Sequence, residues 1–208
     1  ARTADPVDRH RLDRLLSAST DDLVALAAAE ELLSSGELGV VERWRVAQTL
    51  YRHGRYDEAA PILEGLDGVR HSQIPSWEVA YLRGRCAFRR GDWPTAVTWY
   101  RTAISRTSSG ERRAQLEVHL GRTFELAGQM DDAVAAAQRA VRTKTTDDRR
   151  LFLARLRLRR GEPDLAAQGI SRIRGRSARA TSVWRETGTG KVAPKPVRTG
   201  ECPMTRWR

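Results

Sequence analysis

Residues 77–107, WEVAYLRGRCAFRRGDWPTAVTWYRTAISRT, and residues 114–144, AQLEVHLGRTFELAGQMDDAVAAAQRAVRTK, carry one pattern twice at an interval of 37 residues. Gly84 corresponds to Gly121 and Gly91 to Gly128. In each copy a helical run breaks at the second glycine. Ala96, Tyr100, Ala103 and Ile104 then follow at helical spacing in the first copy, and Ala133, Ala137, Ala140 and Val141 in the second. Self-similarity at such a period predicts stacked helical repeats.

The pattern extends in both directions. Upstream, Val46, Ala47 and Leu50 precede His53-Gly54-Arg55, and Tyr56, Ala59, Leu63 and Leu66 follow; Gly54 lies 37 residues before Gly91. Downstream, Leu153, Ala154 and Leu156 precede Arg160-Gly161-Glu162, and Pro163, Ala166, Ile170 and Ile173 follow, 33 residues after Gly128. Four turn glycines thus mark four helix hairpins, because glycine alone accepts the left-handed backbone of a helix end without strain. Gly84 and Gly121 differ in lying within helices, where glycine costs ~1 kcal/mol against alanine. Ala47 and Ala154 occupy the matching places, so a neighbouring helix is expected to press on the backbone there. Tyr56, Trp93 and Met130, two residues after their turn glycines, are expected to wedge between the helices of a hairpin.

Two further helices are expected ahead of the repeats. One spans about 7–17, with Val7, Leu12, Leu15 and Leu16 on one side and Pro6 at its start; the other spans about 21–34, behind the capping cluster Ser19-Thr20-Asp21-Asp22. The expected organisation is N-terminal capping helices over 1–36, repeats over 37–176 and a flexible basic tail over 177–208. The last 24 residues, RETGTGKVAPKPVRTGECPMTRWR, hold too few apolar groups to offset the entropy of ordering.

Charge is unevenly placed. The net charge of +11 resides at the C-terminal end: residues 149–208 hold 16 Lys and Arg against 4 Asp and Glu, and residues 1–148 hold 21 against 22. A basic end of this kind can contact phosphates, but a solubilising tail is the simpler expectation, and nucleic acid is disfavoured as a partner. Gly188-Thr189-Gly190-Lys191 fails as a phosphate loop, since Arg185 stands where the leading glycine belongs and Val192 where Ser or Thr belongs. No run approaches the ~20 apolar residues of a transmembrane helix. The chain begins at Ala1 rather than Met, so its start is expected to be missing, and residence in the cytoplasm or the periplasm stays open.

Cys86 and Cys202 are too far apart to suggest a disulfide framework, and His10, His53, His71 and His119 are too scattered for a metal site. None of the four histidines has a nucleophile partner at recognisable spacing, so surface or capping roles are expected for them. Neither catalytic residues nor a cofactor or metal are expected.

These residues resemble the tetratricopeptide repeat family. Its pattern asks for a small residue at position 8, a bulky one at 11, Gly at 15, an aromatic at 17, Ala at 20, an aromatic at 24 and Ala at 27. Gly84, Ala87, Gly91, Trp93, Ala96, Tyr100 and Ala103 supply it once; Gly121, Phe124, Gly128, Met130, Ala133, Ala137 and Ala140 supply it again. The outer copies match more loosely, with Leu63 and Ile170 at position 24 and Leu66 and Ile173 at 27. The resemblance implies an all-α, right-handed α-solenoid of about four helix hairpins over residues 37–176. The usual period is 34, so 37 implies lengthened loops at Gly68–Ile74 and Thr107–Gly110. Such degenerate pairs are also similar to the superhelical N-terminal region of bacterial soluble lytic transglycosylases. On that alternative the chain is the non-catalytic part of a murein-cleaving enzyme, its catalytic domain lying elsewhere.

The family resemblance implies a protein- or peptide-binding scaffold whose first helices line the concave face through positions 2, 5, 9, 12 and 13. Those positions hold Val41, Trp44, Gln48, Tyr51 and Arg52, then Glu78, Tyr81, Arg85, Phe88 and Arg89. The third copy supplies Gln115, Val118, Arg122, Glu125 and Leu126, and the fourth Asp148, Leu151, Arg155, Leu158 and Arg159. An arginine column beside aromatic platforms suits an extended acidic peptide, because guanidinium pairs with carboxylate in a forked geometry. The carboxylate clamp of chaperone-binding repeats expects Asn at position 9, which no copy has.

Overall fold

The computed structural model describes residues 10–12, 14–16, 22–36, 38–171 and 173. Its helices are α1 (Asp22–Ser34), α2 (Val40–Arg52), α3 (Tyr56–Glu64), α4 (Ser76–Arg89), α5 (Trp93–Arg106), α6 (Gly110–Leu126), α7 (Met130–Thr143), α8 (Asp147–Arg159) and α9 (Pro163–Ser171). Residues 10–12 and 14–16 are helical too. The described residues form no strand. Helices α2 to α9 pair into four hairpins, and each hairpin packs on the next, which makes the fold a helical solenoid. The Ser19–Asp21 capping cluster, the residues before His10 and the expected tail over 177–208 lie outside the described residues.

The four hairpin turns are built alike. Gly54, Gly91, Gly128 and Gly161 have φ of 77°, 79°, 77° and 83°. The next residue's N–H reaches back to the first helix in every case: Arg55 to the Leu50 carbonyl (2.9 Å), Asp92 to Ala87 (3.0 Å), Gln129 to Phe124 (2.9 Å) and Glu162 to Arg157 (2.9 Å). This is a Schellman closure repeated four times, and it satisfies carbonyls that the helix end would orphan. Side-chain caps fix several helix starts. Asp92 accepts from the Thr95 N–H at 3.2 Å, Ser109 from Arg112 at 3.4 Å and Thr146 from Arg149 at 3.3 Å.

The longer period has two different origins. Between α3 and α4 the loop runs over residues 65–75, as the spacing implied. Between α5 and α6 the loop is short, 107–109, and matches the length of 144–146 between α7 and α8. The extra residues there belong to α6, which has 17 residues against 13 in α8. The Ser109 cap starts α6 early, so the expected lengthening of the 107–110 loop is corrected to a longer helix.

The core follows the stack. A first cluster joins Leu12 and Leu16 with Ala28, Ala29 and Leu32 of α1, Trp44, Val46 and Leu50 of α2, Leu63 of α3 and Val79, Leu82 and Cys86 of α4. A second joins Ala80 and Ala87 of α4 to Tyr100, Leu116, Leu120, Phe124, Val134, Phe152 and Leu156. A third, smaller one holds Ala154, Ala166 and Ile170. Tyr81 packs against the first and second clusters alike. The close approaches expected at the helical glycines are present: a Cβ on Gly121 would lie 3.1 Å from the Phe152 ring and 3.3 Å from the Ala133 carbonyl oxygen. Trp93 stands edge-on to Phe88, with ring centroids 5.3 Å apart, and Tyr56 lies 5.5 Å from Tyr51, so the wedge position joins the two helices of a hairpin.

Candidate functional site: an arginine and aromatic face on the first helices

The sequence spacing brings α2, α4 and α6 side by side, and their facing residues meet around Tyr81. Arg85 Nη1 donates to the Tyr81 phenol oxygen at 2.8 Å, one helical turn away. That oxygen also lies 3.4 Å from Nε2 of His119 on α6. Arg85 can only donate, so the phenol oxygen accepts from it, and the direction of the Tyr81–His119 contact follows the tautomer of the imidazole. The His119 ring lies 5.3 Å from Tyr81 and is stacked at 5.7 Å on Tyr100. The Arg85 guanidinium stands 5.5 Å from the Tyr51 ring centroid and 5.6 Å from that of Tyr81. An aromatic floor of Tyr51, Tyr81, Tyr100 and His119 therefore supports one guanidinium directly.

Electrostatics fix the state of this floor. Burial pushes the His119 pKa down to about 4, and Arg85 and Arg122 oppose its proton further, so the imidazole is neutral near pH 7. Burial also raises the phenols of Tyr51 and Tyr100 above their ordinary range. Glu78, at the edge of the face, is pushed up by burial, with Arg112 acting in the opposite direction.

The arginine column divides into two parts. Arg85, Arg89 and Arg122 have no carboxylate within ion-pair distance among the described residues. Arg122 lies 5.8 Å from the Phe152 ring centroid, and Arg89 is exposed. Further along, Glu125 accepts from Arg155 at 3.2 Å and from Arg159 at 2.6 Å, and its side chain is only 7% exposed. The expected column thus contains an uncompensated centre and a C-terminal part in which one carboxylate is shared by two guanidiniums.

Other members of the expected face differ in burial and contacts. Trp44 is 5% exposed and belongs to the first core cluster, because Leu12, Leu16 and α1 pack in the same cluster. Val118 packs on the second cluster, and Leu151 and Leu158 pack on the third. Phe88 is half-buried and meets Trp93 edge-on. Gln48, Tyr51, Arg52 and Glu78 line a cleft of about 550 Å³ with Leu16 and Leu82, and Arg52 donates to the Thr49 hydroxyl at 3.2 Å. Leu126 is 56% exposed. His119 is the residue the spacing missed. Expected as a surface or capping group, it lies half-buried among the rings of the site.

Among the described residues no helix is long and apolar enough to cross a membrane. No group of three or more His, Cys, Asp or Glu is placed there to hold a metal.

Paired helices closed by identical glycine turns, with one side chain face running across successive first helices, define a helical-repeat scaffold. Residues 45–112 match the family model described as Tetratricopeptide repeat, and that stretch carries repeats of the family. The crystal structure of MamA is 18% identical, with 88% of this chain and 96% of that chain covered and a TM-score of 0.62. MamA 41-end from Desulfovibrio magneticus RS-1 is 15% identical, with 89% and 99% covered and a TM-score of 0.65. PilW, a widely conserved type IV pilus biogenesis factor, is 15% identical, with 86% and 84% covered and a TM-score of 0.70. At these identities the likeness is one of fold. No curated protein matches the chain.

Proposed function

We propose that the chain is a non-catalytic scaffold that binds an extended, acidic segment of another protein across the face formed by α2, α4 and α6. The observation that carries this reading is the cluster of Arg85, Arg89 and Arg122 without carboxylate partners beside the Tyr51, Tyr81, Tyr100 and His119 rings. Rings and guanidinium planes supply rigid contact area at little entropic cost, and forked donors select carboxylates over neutral groups. Holding Arg85 by Tyr81 pre-orients it, which reduces what binding must spend on ordering the side chain.

The test is binding of immobilised extended peptides rich in Asp and Glu to the full chain and to the variant with Arg85, Arg89 and Arg122 all changed to Glu. The expected result is retention by the wild type, weakened by salt, and loss in the variant. Equal retention by both would overturn the reading.

A further inference from the structure

The second, third and fourth hairpins share a place on the side of the first helix away from the arginine face. Its floor is the stripe four, seven, eight and eleven residues before the turn glycine, and the second helix of the preceding hairpin forms one wall. In the second hairpin Trp99 fills it. Arg83 lies 3.5 Å above the indole and reaches Asp67 at 3.4 Å and Glu64 at 3.8 Å. In the third hairpin Phe124 fills it, 4% exposed, with Arg101 at 5.7 Å from the ring centroid.

The fourth hairpin departs from both. Gly169 stands where Trp99 stands in the second copy, and Arg157 stands where Phe124 stands in the third. A cavity of about 290 Å³ is left, floored by Val141, Leu153, Ala154 and Gly169 and rimmed by Arg142, Arg150 and Arg157. Nothing lies within 4 Å of the place a Gly169 Cβ would take. Arg157 donates to the Leu165 carbonyl at 3.1 Å, and its Nε has no acceptor. Arg150 pairs with Asp147 at 3.5 Å, but no Asp or Glu lines the cavity itself.

We propose that this cavity receives an aromatic side chain of a partner protein, flanked in that partner by carboxylates. An apolar cavity of ~150 Å³ is enough to take up benzene, so the space accommodates a Phe or Trp ring. The same protein twice fills this place with a ring beside a guanidinium; here Leu153 and Gln138 replace those two arginines, but Arg142, Arg150 and Arg157 bring guanidiniums to the rim without a ring. The arginine rim selects the flanking charge. Residues 174–208 of this chain contain Trp184 and Trp207, but with nine Lys and Arg against two Glu they have the same sign as the rim.

The test titrates the full chain with a synthetic peptide holding Trp between pairs of Glu, read by amide shifts at Val141, Leu153 and Gly169. Parallel titrations use peptides with Ala in place of Trp and with Lys in place of Glu. The expected result is saturable shifts with the first peptide only, and affinity falling about tenfold or more in Gly169→Trp, which plugs the cavity. Arg157→Phe, which restores the arrangement of the third hairpin, gives the same loss should the first variant not fold. Equal binding of the Ala or Lys peptide, or undiminished binding in a folded plugged variant, overturns the proposal. So does a shift at these amides on Trp184→Ala without peptide, which would assign the cavity to the chain's own C-terminal residues. Self-association abolished by Gly169→Trp without peptide binding would assign it to a second copy.

Discussion

A Cβ added to Gly84 would lie 2.9 Å from two ring carbons of Tyr100 and 3.3 Å from the Trp99 Cβ. Tyr100 is 1% exposed and stacked on His119, so its ring has little room to move. Gly84→Ala should therefore destabilise the fold by up to ~2 kcal/mol, overpacking of ~1–3 kcal/mol outweighing the ~1 kcal/mol gain in helix propensity. Gly169→Ala, with open space around it, should instead stabilise by up to ~1 kcal/mol. Urea unfolding of the two variants checks the opposite signs.

Stability should carry a mark of His119. Burial, with Arg85 and Arg122 nearby, holds its pKa at about 4, whereas the unfolded chain takes up that proton near its ordinary value of ~6.5. The contribution is complete above the unfolded value and is lost as pH falls from there through the folded one, to the order of ~3 kcal/mol. His119→Phe removes this dependence and keeps a ring beside Tyr81 and Tyr100. Comparing wild type and variant by urea unfolding near neutral pH and near pH ~4.5 should show the wild type losing more.

Glu125 is the sole carboxylate paired with Arg155 and Arg159 among the described residues. Glu125→Gln leaves two guanidiniums in need of an acceptor. The expected outcome is a stability loss of ~1–3 kcal/mol together with tighter, more salt-sensitive binding of acidic peptides. Calorimetric titration at two ionic strengths measures both changes in affinity.

Cys86 is 1% exposed, and burial pushes its thiol up to about 11. The thiolate is the reactive form, so Cys86 should resist iodoacetamide in the folded protein and react at once in urea. A Cys202→Ser background makes the mass shift unambiguous.

The turns and close approaches were legible in the sequence because they depend on one residue type at one backbone position. Gly54, Gly91, Gly128 and Gly161 each required a left-handed backbone, and Gly84 and Gly121 each required the absence of a side chain. Contacts between hairpins were harder to read. Arg155 and Arg159 find Glu125 from 30 and 34 residues away, where only the register of adjacent repeats brings them together. His119 occupies a place to which the family pattern assigns no residue type. The burial of Trp44 is hard to read for a different reason: position within a repeat does not reveal that Leu12, Leu16 and α1 share its core.

The two large cores meet in α4, and Tyr81 packs against both. A repeat array unfolds in blocks whose boundaries follow its weakest interfaces, and α4 lends one set of side chains to each block. The proposed partner would sit astride this seam, in contact with the residue that belongs to both sides. Occupancy would then couple the two blocks, and hydrogen exchange would slow together in α3 and α7, which belong to the two cores but lie outside the covered face.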